Sequence, residues 1–99
     1  MRIRICFRQV PAVDGEIVAG GIVEQTERVF DNVIANLGTA DCGLEHVVKV
    51  WLDDPRDFIS FNAVFERYFR NHAPARSTVR SALMVDAKVE MDVIAYKSE

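Results

Sequence analysis

Little in this chain could fasten it covalently or through metal. Two cysteines, Cys6 and Cys42, make no disulfide framework, so a reducing, cytoplasmic setting is expected. His46 and His72 stand apart, without the cysteine or carboxylate spacing of a metal site, and no metal or cofactor is expected. No segment approaches the roughly 20 apolar residues of a membrane span. The opening "MRIRICFRQV" is too polar and too alternating for a signal peptide. A basic excess is also missing: 12 Lys and Arg stand against 15 Asp and Glu, a net charge of −3, which argues against a nucleic-acid partner. No repeat, low-complexity run or linker interrupts the chain. What remains is 99 residues, 49% of them hydrophobic. That is one small domain, residues 1–99, whose modest core would benefit from oligomerisation.

Hydrophobic periodicity supplies the elements. "RIRICFRQV" alternates, with Ile3, Ile5 and Phe7 on one side and Arg2, Arg4, Cys6 and Arg8 on the other, the period-two pattern of a half-buried strand. "PAVDGE" reads as a turn punctuated by Asp14-Gly15, and "EIVAGG" as a short extended piece. Ile22, Val23, Val29, Phe30, Val33, Ile34 and Leu37 then recur at helical spacings, with Gly38 placed as a left-handed C-terminal cap. "GTADCG" is loop, and "LEHVVKVWL" a strand of β-branched and aromatic residues.

A second helix starts with Asp54 as cap, Pro55 at the first position and Asp57 near the positive end of the dipole. Phe58, Phe61, Phe65, Tyr68 and Phe69 form its apolar stripe, and "HAPA" ends it before Pro74. Two strands follow, near residues 77–83 and 87–95. In the second, Ala87, Val89, Met91 and Val93 alternate with Lys88, Glu90 and Asp92. Strand, helix, strand, helix, strand, strand predicts a two-layer α+β sandwich whose sheet is covered on one face. The other face, if apolar, needs a partner, and copies of the chain are the simplest one.

Three residues stand out chemically. On pattern alone Arg76, behind Pro-Ala at a strand mouth, and Glu90, on the polar side of its strand, read as solvated charges. Asn62 borders the apolar stripe, where a half-buried amide needs partners. A plain hairpin over residues 77–95 keeps Arg76 and Glu90 apart. Turning near Val85, it leaves them about nine and about five residues from the turn, an offset too long for contact at ~3.3 Å per residue. A shared site therefore needs another strand order or a pocket between subunits.

The motifs resemble those of the YjgF, or reactive-intermediate deaminase (Rid), family. The resemblance runs from about Gly15 to Lys97. "QTERVFDNV" is similar to the family's first helix, and "VVKVWLDDPRDFISFNAVFERYF" to its central strand and second helix. "PARSTV" followed by "VEMDVIA" resembles its C-terminal signature. The resemblance implies a chorismate-mutase-like fold, with two helices on one face of a mixed sheet, and a homotrimer with clefts between subunits. It further implies cofactor-free hydrolysis of small 2-imino acids to 2-keto acids and ammonia. Arg76 then corresponds to the arginine that binds the substrate carboxylate, Glu90 to the glutamate that positions the attacking water, and Asn62 to an asparagine lining or supporting the cleft.

The chain departs from the family pattern in three places. The opening segment, with its first strand and a Gly-Pro-Tyr-Ser stretch, is missing. Ser-Gly-Gln is replaced by Phe7-Arg8-Gln9, so Arg8 is expected to narrow the cleft or add a second cation where glycine lets backbone approach. Thr78 stands where many members carry a cysteine, and it is counted with Arg8 among the substrate-binding positions. The alternative to a deaminase is a non-catalytic trimer that binds small carboxylates or other proteins. The family's older association with RNA cleavage finds no basic stripe or histidine pair here.

Overall fold

Helical spacing of apolar residues builds the layer that covers the sheet. The computed structural model describes residues 2–39, 47–70, 76–83 and 86–98, with side chains for 8–36, 48–70, 76–83 and 86–94. Helix α1, Ile22–Thr39, buries Ile22, Val29, Phe30 and Val33. The polar Gln25 and Thr26 are buried among them. Val23 and Ile34, expected in the stripe, are exposed at its margins, because at 100° per residue they fall near the edge of the arc centred on Thr26 and Val33. Nor does Gly38 stop the helix, which runs through it to Thr39; an interior glycine weakens a helix without breaking it.

Before α1, strand β1 spans Arg2–Gln9. The predicted turn after it is a small hairpin of its own, β2 (Ala12–Val13) against β3 (Glu16–Ile17). Asp14 and Gly15 both have positive φ, 52° and 83°, the two left-handed positions of a type I′ turn. Asn32 on α1 holds this hairpin down, its amide donating to the carbonyls of Val10 and Ala12 at 3.3 and 2.9 Å. Gln25 does the same further along, donating to Val18 and accepting from the Lys88 amide at 2.8 Å.

Strand β4, Val47–Leu52, is shorter in the described residues than "LEHVVKVWL"; residues 44–46 lie outside them. Asp54 caps as expected, accepting from the Arg56 amide at 2.9 Å. It caps a 3₁₀ turn, Pro55–Asp57, from which helix α2 continues over Phe58–Tyr68. Phe61, Val64, Phe65 and the following Phe69 are buried, whereas Phe58 is partly exposed and Ile59 is 82% exposed. Strand β5 is Arg76–Arg80 and β6 is Val89–Ser98.

The strand order is β1-β6-β4-β5, so residues 77–95 do not form a plain hairpin. Strand β5 runs parallel to β4, and β6 pairs antiparallel with both β4 and β1. The reason is α2: a helix between β4 and β5 makes a crossover, which lays the two strands parallel and side by side. Strand β6 takes the other side of β4.

One face of this mixed sheet carries Val48, Val50, Leu52, Val89, Met91 and Val93, which pack with Phe30, Phe61, Phe65 and Phe69 into the core. Phe30 organises the aromatic part, stacking on Tyr68 at 4.5 Å and meeting Phe69 edge-on at 5.5 Å. Burying each such side chain contributes about 1.5–3 kcal/mol. The opposite face is mixed, with Val79 and Ile94 among its charges. By register it carries Lys49, Trp51, Glu90, Asp92 and Arg8.

Candidate functional site

Period-two alternation puts the candidate residues on two sides of the sheet. Arg76 pairs beside Val48 and Thr78 beside Val50, so both face the helices. Glu90 pairs beside Trp51 and faces away. Strand β4 separates the two, and Val48 and Trp51 are roughly 10 Å apart along it. Within one copy, the structure does not bring Arg76 and Glu90 together.

It does bring Arg76 to Asn62. Arg76 opens the edge strand β5, and Asn62 lies on α2 above it. Nη1 of Arg76 donates to Oδ1 of Asn62 at 2.7 Å, and Asn62 donates in turn to Glu66 at 3.2 Å. The guanidinium carbon sits 4.4 Å from the Phe65 ring centre, with Phe58 and Phe61 at 5.7 and 5.8 Å. Ring faces attract a cation and fix its plane. Among the described residues the guanidinium makes no second hydrogen bond, which leaves donors for a bidentate grip on a carboxylate. Thr78, two residues on, has a buried hydroxyl without a described partner. It lines a cavity of about 330 Å³ with Leu52, Pro55, Phe58, Val79 and Arg80.

The second cluster spans β1, β6 and β4. Glu90, whose side chain is 15% exposed, meets Arg8 Nε at 3.3 Å through Oε1. The same Nε donates to Asp92 Oδ1 at 2.8 Å, and Nη2 donates to Asp92 Oδ2 at 3.3 Å. The hydrogen bond to Asp92, reinforced by the charges of Asp92 and Glu90, pushes the Arg8 pKa above its ordinary value. The Arg8 guanidinium also lies 4.9 Å from the Trp51 ring centre, and the Lys49 ammonium 5.2 Å from it. Asp92 and Trp51 were not expected in this cluster. Alternation places Asp92 on the face of Glu90, but only the β4–β6 register brings Trp51 beside it. Among the described residues no group of three or more His, Cys, Asp or Glu could hold a metal; His46, His72 and Cys42 lie outside them.

A mixed sheet with two helices on one face, joined through a parallel crossover, defines the chorismate-mutase-like class of α+β proteins. Within that class, the chain belongs to the family described as endoribonuclease L-PSP, the YjgF or Rid family, which it matches over residues 8–97. It is 48% identical over 86 residues to a RutC family protein of Pyrococcus abyssi, covering 84% of this chain and 68% of the relative. It is 37% identical over 86 residues to the 2-iminobutanoate/2-iminopropanoate deaminase of Capra hircus, covering 84% of this chain and 63% of that one. The crystal structure of yeast Mmf1 superposes with a TM-score of 0.89 at 36% identity, over 98% of this chain and 80% of the other. Among the described residues no helix is long and apolar enough to cross a membrane.

Proposed function

We propose that this protein is a cofactor-independent deaminase that hydrolyses small 2-imino acids to 2-keto acids and ammonia. The observation that carries this reading is Arg76, braced by Asn62 and the Phe65 ring with donors left for a carboxylate. A 2-imino acid bears its carboxylate beside the C=N carbon. Gripping the carboxylate therefore fixes the carbon that water attacks. Glu90 orients that water and takes its proton as the C–O bond forms. The resulting carbinolamine expels ammonia as the C=O bond closes. The deaminase name of the goat relative supports the substrate class.

Because Arg76 and Glu90 face opposite sides of one sheet, we place the complete site where copies meet. One copy supplies Arg76, Asn62 and Thr78; its neighbour supplies Glu90. A homotrimer would hold three such clefts. The sparse cysteines favour the cytoplasm as its place of work.

The separation of the two residues within a copy also favours a second reading, a protein that binds small carboxylates without turning them over. A coupled assay decides between them. A pyridoxal-phosphate dehydratase acting on serine or threonine generates the imine, and keto-acid release is followed with and without this protein. Faster release supports the deaminase. An unchanged rate with measurable keto-acid binding supports the carboxylate binder.

A further inference from the structure

We propose that Arg8 is a positioning residue for Glu90, held in place by Asp92, rather than a plug in the cleft. This rests on the deaminase reading and assigns to the site a residue that acts through Glu90 without touching substrate.

The geometry is that of a fork closed on Asp92 with Glu90 beside it. Arg8 sits directly across from Asp92 in the β1–β6 register, and two of its nitrogens engage both Asp92 oxygens at 2.8 and 3.3 Å. A bidentate guanidinium–carboxylate pair fixes both planes. The indole of Trp51, 4.9 Å away, bounds the guanidinium on its face. So anchored, with its single Nε hydrogen given to Asp92, the guanidinium lies against Glu90 as a charge contact, Nε 3.3 Å from Oε1. Among the described residues the Glu90 carboxylate has no hydrogen-bond donor, and Arg8 is the cation set beside it. One oxygen is turned to the arginine, which leaves the other to hold water.

The charge balance fits this role. Arg8 and Lys49, which lies across from Asp92, balance the two carboxylates on this face. A balanced face does not oppose a cationic iminium, which an unpaired Arg8 would repel. Asp92 therefore does two things: it aims Arg8, and it cancels the charge that would oppose the substrate. A residue bulkier than glycine at position 8 would ordinarily be read as obstruction. The ion pairs point the other way.

The test compares Arg8→Gln, Arg8→Lys, Arg8→Gly, Glu90→Gln and the Arg8→Gln/Glu90→Gln double variant by steady-state imine hydrolysis. Arg8→Gln and Arg8→Gly should lower kcat by about 10- to 100-fold with KM little changed, as expected for a misoriented group. Arg8→Lys, which restores the charge without the fork, should recover part of the loss. The double variant should be no slower than Glu90→Gln alone, because Arg8 acts through Glu90. The Arg8 Nε–H proton resonance should move in Glu90→Gln, a readout independent of turnover. A role confined to stitching β1 to β6 would lower Tm and leave kcat intact, and that result overturns the proposal. So does a faster Arg8→Gly enzyme, or an additive double variant. A wild-type protein with no imine hydrolysis at all would sink the deaminase reading, and this inference with it; an active wild type with an indifferent Arg8 sinks this inference alone.

Discussion

Asn62 on α2 accepts a 2.7 Å hydrogen bond from Arg76 at the mouth of β5, so the helix layer aims the arginine that opens the sheet's edge strand. A charge-assisted bond of this kind contributes about 1.5–3 kcal/mol. In Asn62→Ala, Arg76 keeps its aromatic bed but loses its lateral brace. Calorimetric titration with pyruvate as the carboxylate probe should show binding weakened about tenfold, a loss of ~1.4 kcal/mol. Arg76→Ala should weaken it further, and Arg76→Lys should not restore it, since an ammonium lacks the planar fork. Glu90→Gln should leave pyruvate affinity near wild type while lowering kcat by about 10²–10⁴. Pyruvate affinity surviving intact in Arg76→Ala would remove Arg76 from the site.

The opposite facing of Arg76 and Glu90 makes complementation between copies a direct probe of the site. Arg76→Ala and Glu90→Gln proteins should each be nearly inactive alone. Unfolded together and refolded at equal amounts, they should regain activity. If one neighbour supplies Arg76 and the other Glu90, random mixing restores about a quarter of the clefts in a cyclic assembly. No recovery, despite co-assembly verified by mass, would place both residues in one copy's site. Sedimentation of the wild type at micromolar concentration should show the trimer; a monomer would remove the shared cleft altogether.

Phe30 is the residue on which the core turns. It is fully buried and touches Phe65, Tyr68 and Phe69. Truncation leaves a cavity that the sheet cannot collapse into. Phe30→Ala should cost about 3–5 kcal/mol, read as a drop in the urea midpoint with little change in slope. Ile59→Ala, at a position 82% exposed, should change the stability of the isolated chain by no more than about 0.5 kcal/mol.

The capping turn gives an acid dependence of definite sign. Hydrogen bonds from the Arg56 side chain and amide pull the Asp54 pKa down from 3.8 to about 2. A carboxylate with a depressed folded pKa stabilises the fold above its unfolded value, and that stability is lost as pH falls through the folded one. Stability should therefore decline between about pH 4 and pH 2. The decline should be shallower in Asp54→Asn, which is already less stable at neutral pH. Equal slopes for the two proteins in urea melts over this range would show that the cap does not drive the acid loss.

Much of this protein was legible in its residues. Alternation marked Val89, Met91 and Val93 as one face of a strand and Glu90 and Asp92 as the other. Helical spacing marked Phe61 and Phe65 as core, and Asp14-Gly15 announced a turn. These readings succeed because side-chain direction along a single element is a local property, set by backbone geometry alone. "PARSTV" and "VEMDVIA" likewise carried the family, since a signature is a property of order along the chain.

Which strands lie side by side is another kind of fact. No local pattern in β5 or β6 states that β4 passes between them. The crossover through α2 sets β5 beside β4, and the registers of β5 and β6 on β4 turn Arg76 and Glu90 to opposite faces. Burial of Gln25 and Thr26 was equally hidden, because both are polar and become core only where the sheet lies over them. The same holds for Arg8. Its sequence context offered a bulky cation in place of a glycine, and period two offered a side of the strand. That it grips Asp92 and meets Glu90 depends on a register between residues 84 positions apart, which long-range pairing in the folded sheet decides.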